Sequence, residues 1–302
     1  MPCVLVSGSS GLIGSALVRA LAADGVRVVR LTHGAATGPD VIRWAPERDV
    51  LDRAALERLP PLDAVVHLAG ARIDRRWTSR HRRAIVTSRV ASTALLARAV
   101  AGLPQPPGSF LAASAIGYYG DGGDAVLDES SPPGTGFVAE VCRAWEAAAA
   151  PAEAAGMRVL HARCGMVLSA AGGALARLVP VFRFGLGGPI GTGGQWMSWI
   201  ALEDAIRAMR FALDTPTLVG AINLTAPAPV PNAIFAATLG QVLGRPALLP
   251  VPAWTVRLLF GQMGRELLLS GQRVLPRALE RAGYTFRYPG LAEALRAALD
   301  RW

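Results

Sequence analysis

The chain has 302 residues, is 52% hydrophobic and 18% charged, and carries a formal net charge of +9. That composition is globular rather than disordered, and no uninterrupted apolar run reaches membrane-spanning length. Cys3, Cys142 and Cys164 form no CxxC pair, which argues against a disulfide framework or a zinc site, so no metal is expected. No lysine occurs, so all 31 Lys-plus-Arg positions are arginines. In so Ala-, Gly- and Pro-rich a chain, the basic balance is weak ground for a nucleic-acid partner. The first residues enter a strand with no basic leader, so a cytoplasmic protein with no membrane partner is expected.

Val4-Leu5-Val6 is an apolar run of strand length, followed by Gly8, Gly11 and Gly14 at three-residue steps. A helix is expected from about Leu12 to Ala23. Gly8 permits the turn, Gly11 lets backbone approach a pyrophosphate, and Gly14 lets helix pack closely on strand. The helix N-terminus favours a bound anion, so Ser10, Leu12 and Ile13 join the three glycines as expected cofactor-binding residues. Val26–Leu31 is the second expected strand. It ends in Thr32-His33-Gly34 with no acid to bind the 2′-hydroxyl of NAD. That favours NADP, with NAD as the alternative, and puts Thr32, His33 and Arg30 near the 2′-phosphate.

Asp63–Gly70 is the next clear strand, and Asp49-Val50 before it could flank an adenine. Arg72, Arg75, Arg76, Arg80, Arg82 and Arg83 surround Trp77; a nucleic-acid patch is the disfavoured reading, a solvated or phosphate-side loop the favoured one. A helix follows from about Ser79 to Val100, ended by the Pro104–Pro107 segment. Phe110–Ala115 is the fourth strand, leading into Ile116-Gly117-Tyr118-Tyr119-Gly120. After a polar loop, a helix runs from Phe137 to about Ala155, and Met157–Ala162 is a fifth strand. Beyond Leu168, glycine clusters alternate with short apolar pieces: a strand at Trp196–Ile200, a helix at Glu203–Leu213, a strand at Gly220–Leu224, and proline-punctuated helices from Asn232. No internal repeat is evident.

These residues resemble the extended short-chain dehydrogenase/reductases, and more narrowly the atypical epimerase-like proteins of the NAD-dependent epimerase/dehydratase family. The resemblance spans essentially the whole chain. It rests on the stretch from Gly8 to Gly14, His67–Gly70, Ser88-Arg89-Val90, Ser114–Gly120, Trp145-Glu146, Arg163-Cys164-Gly165, Gly185–Ile200, Asn223–Pro227, Arg245-Pro246 and Gly271–Pro276. It implies that Gly8, Gly11 and Gly14 face a pyrophosphate, that Thr32 and His33 face the 2′-phosphate, and that Leu68, Ala69 and Gly70 lie along the ribose. Arg89, where extended relatives usually have asparagine, would reach the cofactor. Ser114, Arg163 and Val167 are placed with it, Val167 bordering the nicotinamide. Two positions depart from the family habit: His33 where arginine is common, and Ala201 in a segment where histidine is common.

The superfamily's usual proton relay pairs a tyrosine with a lysine four residues later. The helix that should carry it offers Phe137, Val138, Val141 and Cys142 instead, and the chain has no lysine to substitute. Ser114, Tyr118 and Tyr119 are the remaining catalytic candidates. A phenol of pKa about 10 needs a cation such as Arg163 to lower it before it serves as a base at neutral pH. Glu146 is a base or a salt-bridged helix residue. His67 is read as buried, Asp128 and Glu129 as solvated, and Gln195, Trp196 and Trp199 as pocket lining or core.

The fold expected is α/β, a Rossmann-type doubly wound parallel sheet with a smaller C-terminal substrate-side lobe. Residues 1–168 form the dinucleotide-binding domain, its sheet completed by about 196–226; 169–195 and 227–302 form the lobe. The function expected is an NADP(H)-binding oxidoreductase or epimerase-like protein, its small-molecule substrate unknown. The alternative is a non-catalytic NADP(H)-sensing or scaffold protein acting through a partner. The sequence does not give an oligomeric state.

Overall fold

The structure, a computed structural model, describes residues 1–34 and 38–300. The strands in chain order are β1 (Cys3–Ser7), β2 (Arg27–Thr32), β3 (Val41–Ala45), β4 (Val50–Leu51), β5 (Ala64–His67), β6 (Ser109–Ala115), β7 (Val126–Leu127), β8 (Arg158–Cys164), β9 (Met166–Leu168), β10 (Trp196–Met197), β11 (Trp199–Ala201), β12 (Gly220–Leu224), β13 (Val230–Pro231) and β14 (Arg273–Val274). The main helices are α1 (Leu12–Ala23), α2 (Arg53–Glu57), α3 (Ser79–Ala101), α4 (Phe137–Ala147), α5 (Ala150–Ala154), α6 (Gly173–Arg183), α7 (Leu202–Asp214), α8 (Asn232–Leu243) and α9 (Ala253–Phe260).

Eight strands form the main sheet in the order β12-β8-β6-β5-β1-β2-β3-β4. All neighbours are parallel except the β3–β4 edge, which is antiparallel. β1 and β5 are buried along their whole length, as expected of central parallel strands covered on both faces. Their alternating side chains feed two cores. Leu5, Val65, Trp44 and Phe110 pack with Leu96 of α3 on one face. Val4, Val66 and Leu111 pack with Leu17 of α1 and Met209 of α7 on the other. The chain order reverses between β1 and β5, which opens a crevice outside their carboxyl ends.

The expected doubly wound sheet is therefore present, with two differences of detail. β3 and β4 were not foreseen, because only Ile42 and Trp44 of β3 are buried and the apolar alternation is short. Trp196–Ile200 is not one strand: β10 pairs antiparallel with β13, and β11 pairs parallel with β9. β12 takes the outer place in the main sheet beside β8. The helix expected at 137–155 breaks after Ala147, where Pro151 begins a new turn. α3, at 23 residues, is long enough to cross a bilayer, but Ile85, Leu95, Leu96 and Val100 are buried against the sheet and its neighbours. A separate core of Leu175, Val179, Phe182, Trp199, Phe235 and Leu295 holds the C-terminal elements together.

Candidate functional site

The turn after β1 is built for close approach. Gly8 has φ +69°, and a Cβ there would stand 2.6 Å from the carbonyl carbon of Leu68. The Gly11 amide donates to the Gly8 carbonyl at 3.0 Å, and Gly11 then caps α1. A Cβ on Gly14 would lie 2.1 Å from that same carbonyl oxygen. Three glycines thus let the strand, the turn and the following β5 loop converge, while the first amides of α1 have no acceptor within the helix.

Two adjoining depressions open here, sharing Gly8, Gly11 and Leu68. One, of about 530 Å³, is lined by Ser10, Thr32, His33, Ala69 and Gly70 among others. The second, of about 360 Å³, is lined by Leu12, Ile13, Gly14, Ala113 and Val167 among others. Together they form an elongated cleft across the switch point, polar at the β2 end and apolar toward β9. The expected cofactor residues that line it are Gly8, Ser10, Gly11, Leu12, Ile13, Gly14, Thr32, His33, Leu68, Ala69, Gly70 and Val167. Asp49 and Val50 do not line it; Asp49 instead pairs with Arg98 at 3.1 Å.

Trp44, buried in the cleft wall, was missed by sequence reasoning although its alternation with Ile42 was a readable signal. It lies beside the His33 ring at a centroid distance of 5.7 Å and meets the His67 ring edge-to-face at 5.8 Å. His33 is largely exposed and stands 3.8 Å from Glu47.

His67 is fully buried, as expected, at the end of β5 beside Trp44. Its Nδ1 lies 2.6 Å from Ser7 Oγ and its Nε2 3.0 Å from Ser92 Oγ. Ser92 already donates to the Ser88 carbonyl at 2.7 Å, so Nε2–H donates to Ser92 and Nδ1 accepts from Ser7. Ser7 Oγ in turn accepts from the Leu68 and Ala69 amides at 3.2 and 3.4 Å, which fixes the loop along the cleft. Burial holds the imidazole neutral, its pKa lowered to about 3.

Arg89 does not line the cleft. Its guanidinium sits behind Gly70, 3.4 Å from where a Cβ would be, and donates to the Ala71 carbonyl at 3.0 Å. It also lies 5.0 Å from the Trp145 ring centroid, and burial lowers its pKa.

Beyond the apolar end, the catalytic candidates form one buried network. Ser114 Oγ donates to Glu146 at 2.7 Å, and Arg163 holds both Glu146 oxygens at 2.8 Å. Arg163 also donates to Tyr119 Oη at 3.0 Å, and Tyr119 donates to Asn223 at 2.8 Å. Burial disfavours the Arg163 charge, but the bonds and charge of Glu146 outweigh it and raise its pKa. The expectation that Arg163 would activate Tyr119 is not met: burial outweighs the cation and pushes the phenol up to about 12. Tyr118 differs. Its ring lies against the Arg163 guanidinium at 3.5 Å, and its hydroxyl has no hydrogen-bond partner among the described residues.

The other polar candidates are structural. Glu129 is not solvated: it accepts from the Asn223 amide at 3.0 Å and from the Ala278 amide at 3.1 Å. Asp128 caps its own turn through Ser130. Gln195 donates to the Ile190 and Leu268 carbonyls, Trp196 to Asp124, and Trp199 is core. No three-residue cluster of metal-ligating side chains occurs among the described residues.

Residues 4–224 match the model of the NAD dependent epimerase/dehydratase family, and residues 251–298 match a domain of unknown function, DUF1731. An epimerase family protein of Mycobacterium bovis is 46% identical over 299 residues, covering 99% of this chain and 98% of that protein. The human epimerase family protein SDR39U1 is 38% identical over 298 residues, covering 97% and 98%. A crystal structure of the human protein with NADPH has a TM-score of 0.89 at 36% identity, covering 99% of this chain and 100% of that one. A nucleoside-diphosphate sugar epimerase from Corynebacterium glutamicum has a TM-score of 0.81 at 36% identity, covering 99% of this chain and 58% of the other. The sheet, the glycine turn and the extent of these matches agree: this chain belongs to the NAD dependent epimerase/dehydratase family.

Proposed function

We propose that the chain is an NADP(H)-dependent oxidoreductase or epimerase-like enzyme whose proton carrier is Tyr118. The observation that carries this reading is the elongated cleft at the switch point, with the Gly8–Gly14 turn at its centre and no acid among its lining residues. A dinucleotide fits the residues present. Gly8 and Gly14 let the turn, α1 and the β5 loop close together where any Cβ would strike backbone, the α1 N-terminus suits a pyrophosphate, and Thr32, His33 and Arg30 suit a 2′-phosphate. Ala113, Met166 and Val167 suit the apolar faces of a nicotinamide ring. When bound, that ring would exchange a hydride with a carbon of the substrate.

The chain's own residues divide the remaining work. Ser114 and Tyr119 are committed to Glu146 and Asn223, so they hold the strand end rather than meet a substrate. Tyr118 keeps a free hydroxyl on a ring braced by Arg163, which leaves it the phenol able to hold or move a proton at a substrate oxygen. A cytoplasmic setting belongs to the same reading, supported by three free cysteines. Three measurements test it: NADPH against NADH affinity, mass spectrometry of the co-purifying small molecule, and NADPH oxidation with a panel of carbonyl and nucleotide-sugar substrates. Tyr118→Phe should keep cofactor affinity and abolish turnover, whereas Tyr119→Phe should leave turnover largely intact. Equal turnover in Tyr118→Phe would exclude this role.

A second reading is a protein that binds NADP(H) and acts through a partner. It is favoured by the commitment of Ser114 and Glu146 to each other and by the absence of lysine. Cofactor binding without oxidation of any substrate in the panel, with Tyr118→Phe indistinguishable, is its expected result.

A further inference from the structure

The C-terminal elements present large exposed apolar side chains at the end of α6 and on α9. Phe184 is 81% exposed, Leu248 80%, and Trp254 and Leu258 each 66%, with Leu186 and Leu259 also exposed. The two segments that carry these side chains are joined through backbone. The Leu249 amide donates to the Gly187 carbonyl at 3.1 Å and the Val251 amide to Pro189 at 2.8 Å, which joins the end of α6 to the segment entering α9. Soluble monomers rarely expose apolar patches beyond about 300–600 Å². Two aromatic and four leucine side chains at these exposures present an area on the order of 800 Å².

The charges around this face are of one sign. Arg183, Arg245, Arg257 and Arg265 are exposed on the segments that build it, and none meets a carboxylate among the described residues. Between Asp214 and Glu266 the sequence contains no acid. Glu266 itself turns inward, accepting from the Val138 amide at 3.0 Å and from Gln262.

We infer that this face docks on an anionic phospholipid surface, with Trp254, Leu258, Phe184 and Leu248 entering the interface and the four arginines meeting lipid phosphates. The charge pattern selects this occupant. A two-fold dimer would set the face against itself and bring arginine rims together with no acid on either side. A bilayer rich in anionic lipid supplies both the apolar depth and the opposite charge. Such a contact lies on the membrane and needs no spanning segment, so the expectation of no membrane partner, which rested on the lack of one, does not bear on it. α6 runs from Gly173 in the cleft wall to Arg183 at the face, a separation of about 15 Å at helical rise. Docking would therefore leave the cleft open to its ligands.

Co-sedimentation of the purified full chain with vesicles of mixed phosphatidylglycerol and phosphatidylcholine, against phosphatidylcholine alone, tests this. Binding should favour the anionic vesicles by about tenfold or more and weaken with salt. Leu258→Glu and, separately, the pair Arg245→Glu with Arg257→Glu should each lower it about tenfold. Both sites are on the surface, so NADPH affinity should not change. No binding to anionic vesicles at low salt, or equal binding by both variants, would overturn the proposal. So would a chain that is dimeric by light scattering and made monomeric by Leu258→Glu, which would make the face a self-interface.

Discussion

Arg163 grips Glu146 through two parallel hydrogen bonds of 2.8 Å where β8 meets α4, with Arg163 buried and Glu146 nearly so. Such a pair gives little net stability over an apolar replacement, but removing one partner strands the other charge. Glu146→Ala should therefore lower unfolding free energy by about 3–5 kcal/mol in chemical denaturation. Arg163→Met combined with Glu146→Leu should recover most of that loss. A single variant within about 1 kcal/mol of the parent would mean the pair is hydrated in solution.

His67 links stability to pH. Its pKa is about 3 when folded and 6.5 when free, so between those values the unfolded chain binds a proton that the folded chain refuses. The stabilisation is complete above pH 6.5 and falls as pH drops, by about 1.4 kcal/mol per unit down to pH 3. Urea denaturation from pH 7 to pH 4 should show this slope, and His67→Gln should flatten it. An unchanged slope in the variant would assign the acid sensitivity elsewhere.

The glycine turn separates folding from ligand binding. A Cβ on Gly14 meets the Gly8 carbonyl oxygen at 2.1 Å, so Gly14→Ala should destabilise the fold by about 1–3 kcal/mol. A Cβ on Gly11 meets nothing nearer than 3.3 Å. Gly11→Asp should thus fold, yet weaken NADPH binding by about 100-fold, since it sets a carboxylate against the pyrophosphate site. Calorimetry on both variants checks the contrast, and unchanged affinity in Gly11→Asp would remove the cofactor reading.

On the proposed reading, His33 sets the choice of nucleotide. It is exposed at the end of β2, beside the Trp44 ring, and Glu47 is its nearest acid. His33→Arg should raise the preference for NADPH over NADH about tenfold through bidentate contact with the 2′-phosphate. His33→Asp should shift preference toward NADH. A ratio that neither substitution moves would place 2′-phosphate recognition on other residues.

The cleft was legible because its chemistry is local. Gly8 to Gly14, the Leu68-Ala69-Gly70 end of the next strand and the acid-free end at Thr32-His33 each lie within a few residues, beside a strand whose apolar run marks it. The buried polar network was not legible. Ser114 and Tyr119 come from one segment and Glu146, Arg163 and Asn223 from three others, and only parallel register places Ser114 beside Arg163. No sequence pattern announces that Tyr118 keeps a free hydroxyl while its neighbour Tyr119 is tied to Asn223. Glu129 was read as solvated for the same reason: its partners, the Asn223 and Ala278 amides, lie 94 and 149 residues away.

That Glu129 carboxylate ties two bodies with one side chain. One oxygen is bonded to β12 of the main sheet and the other to the amide that opens the 277–281 helix, while Asn223 reaches the Leu275 carbonyl at 3.0 Å. These bonds couple the 273–281 segment to the sheet edge. In hydrogen exchange, the Asn223 and Ala278 amides should open together, at a rate set by the whole unit rather than by the loop that carries Glu129.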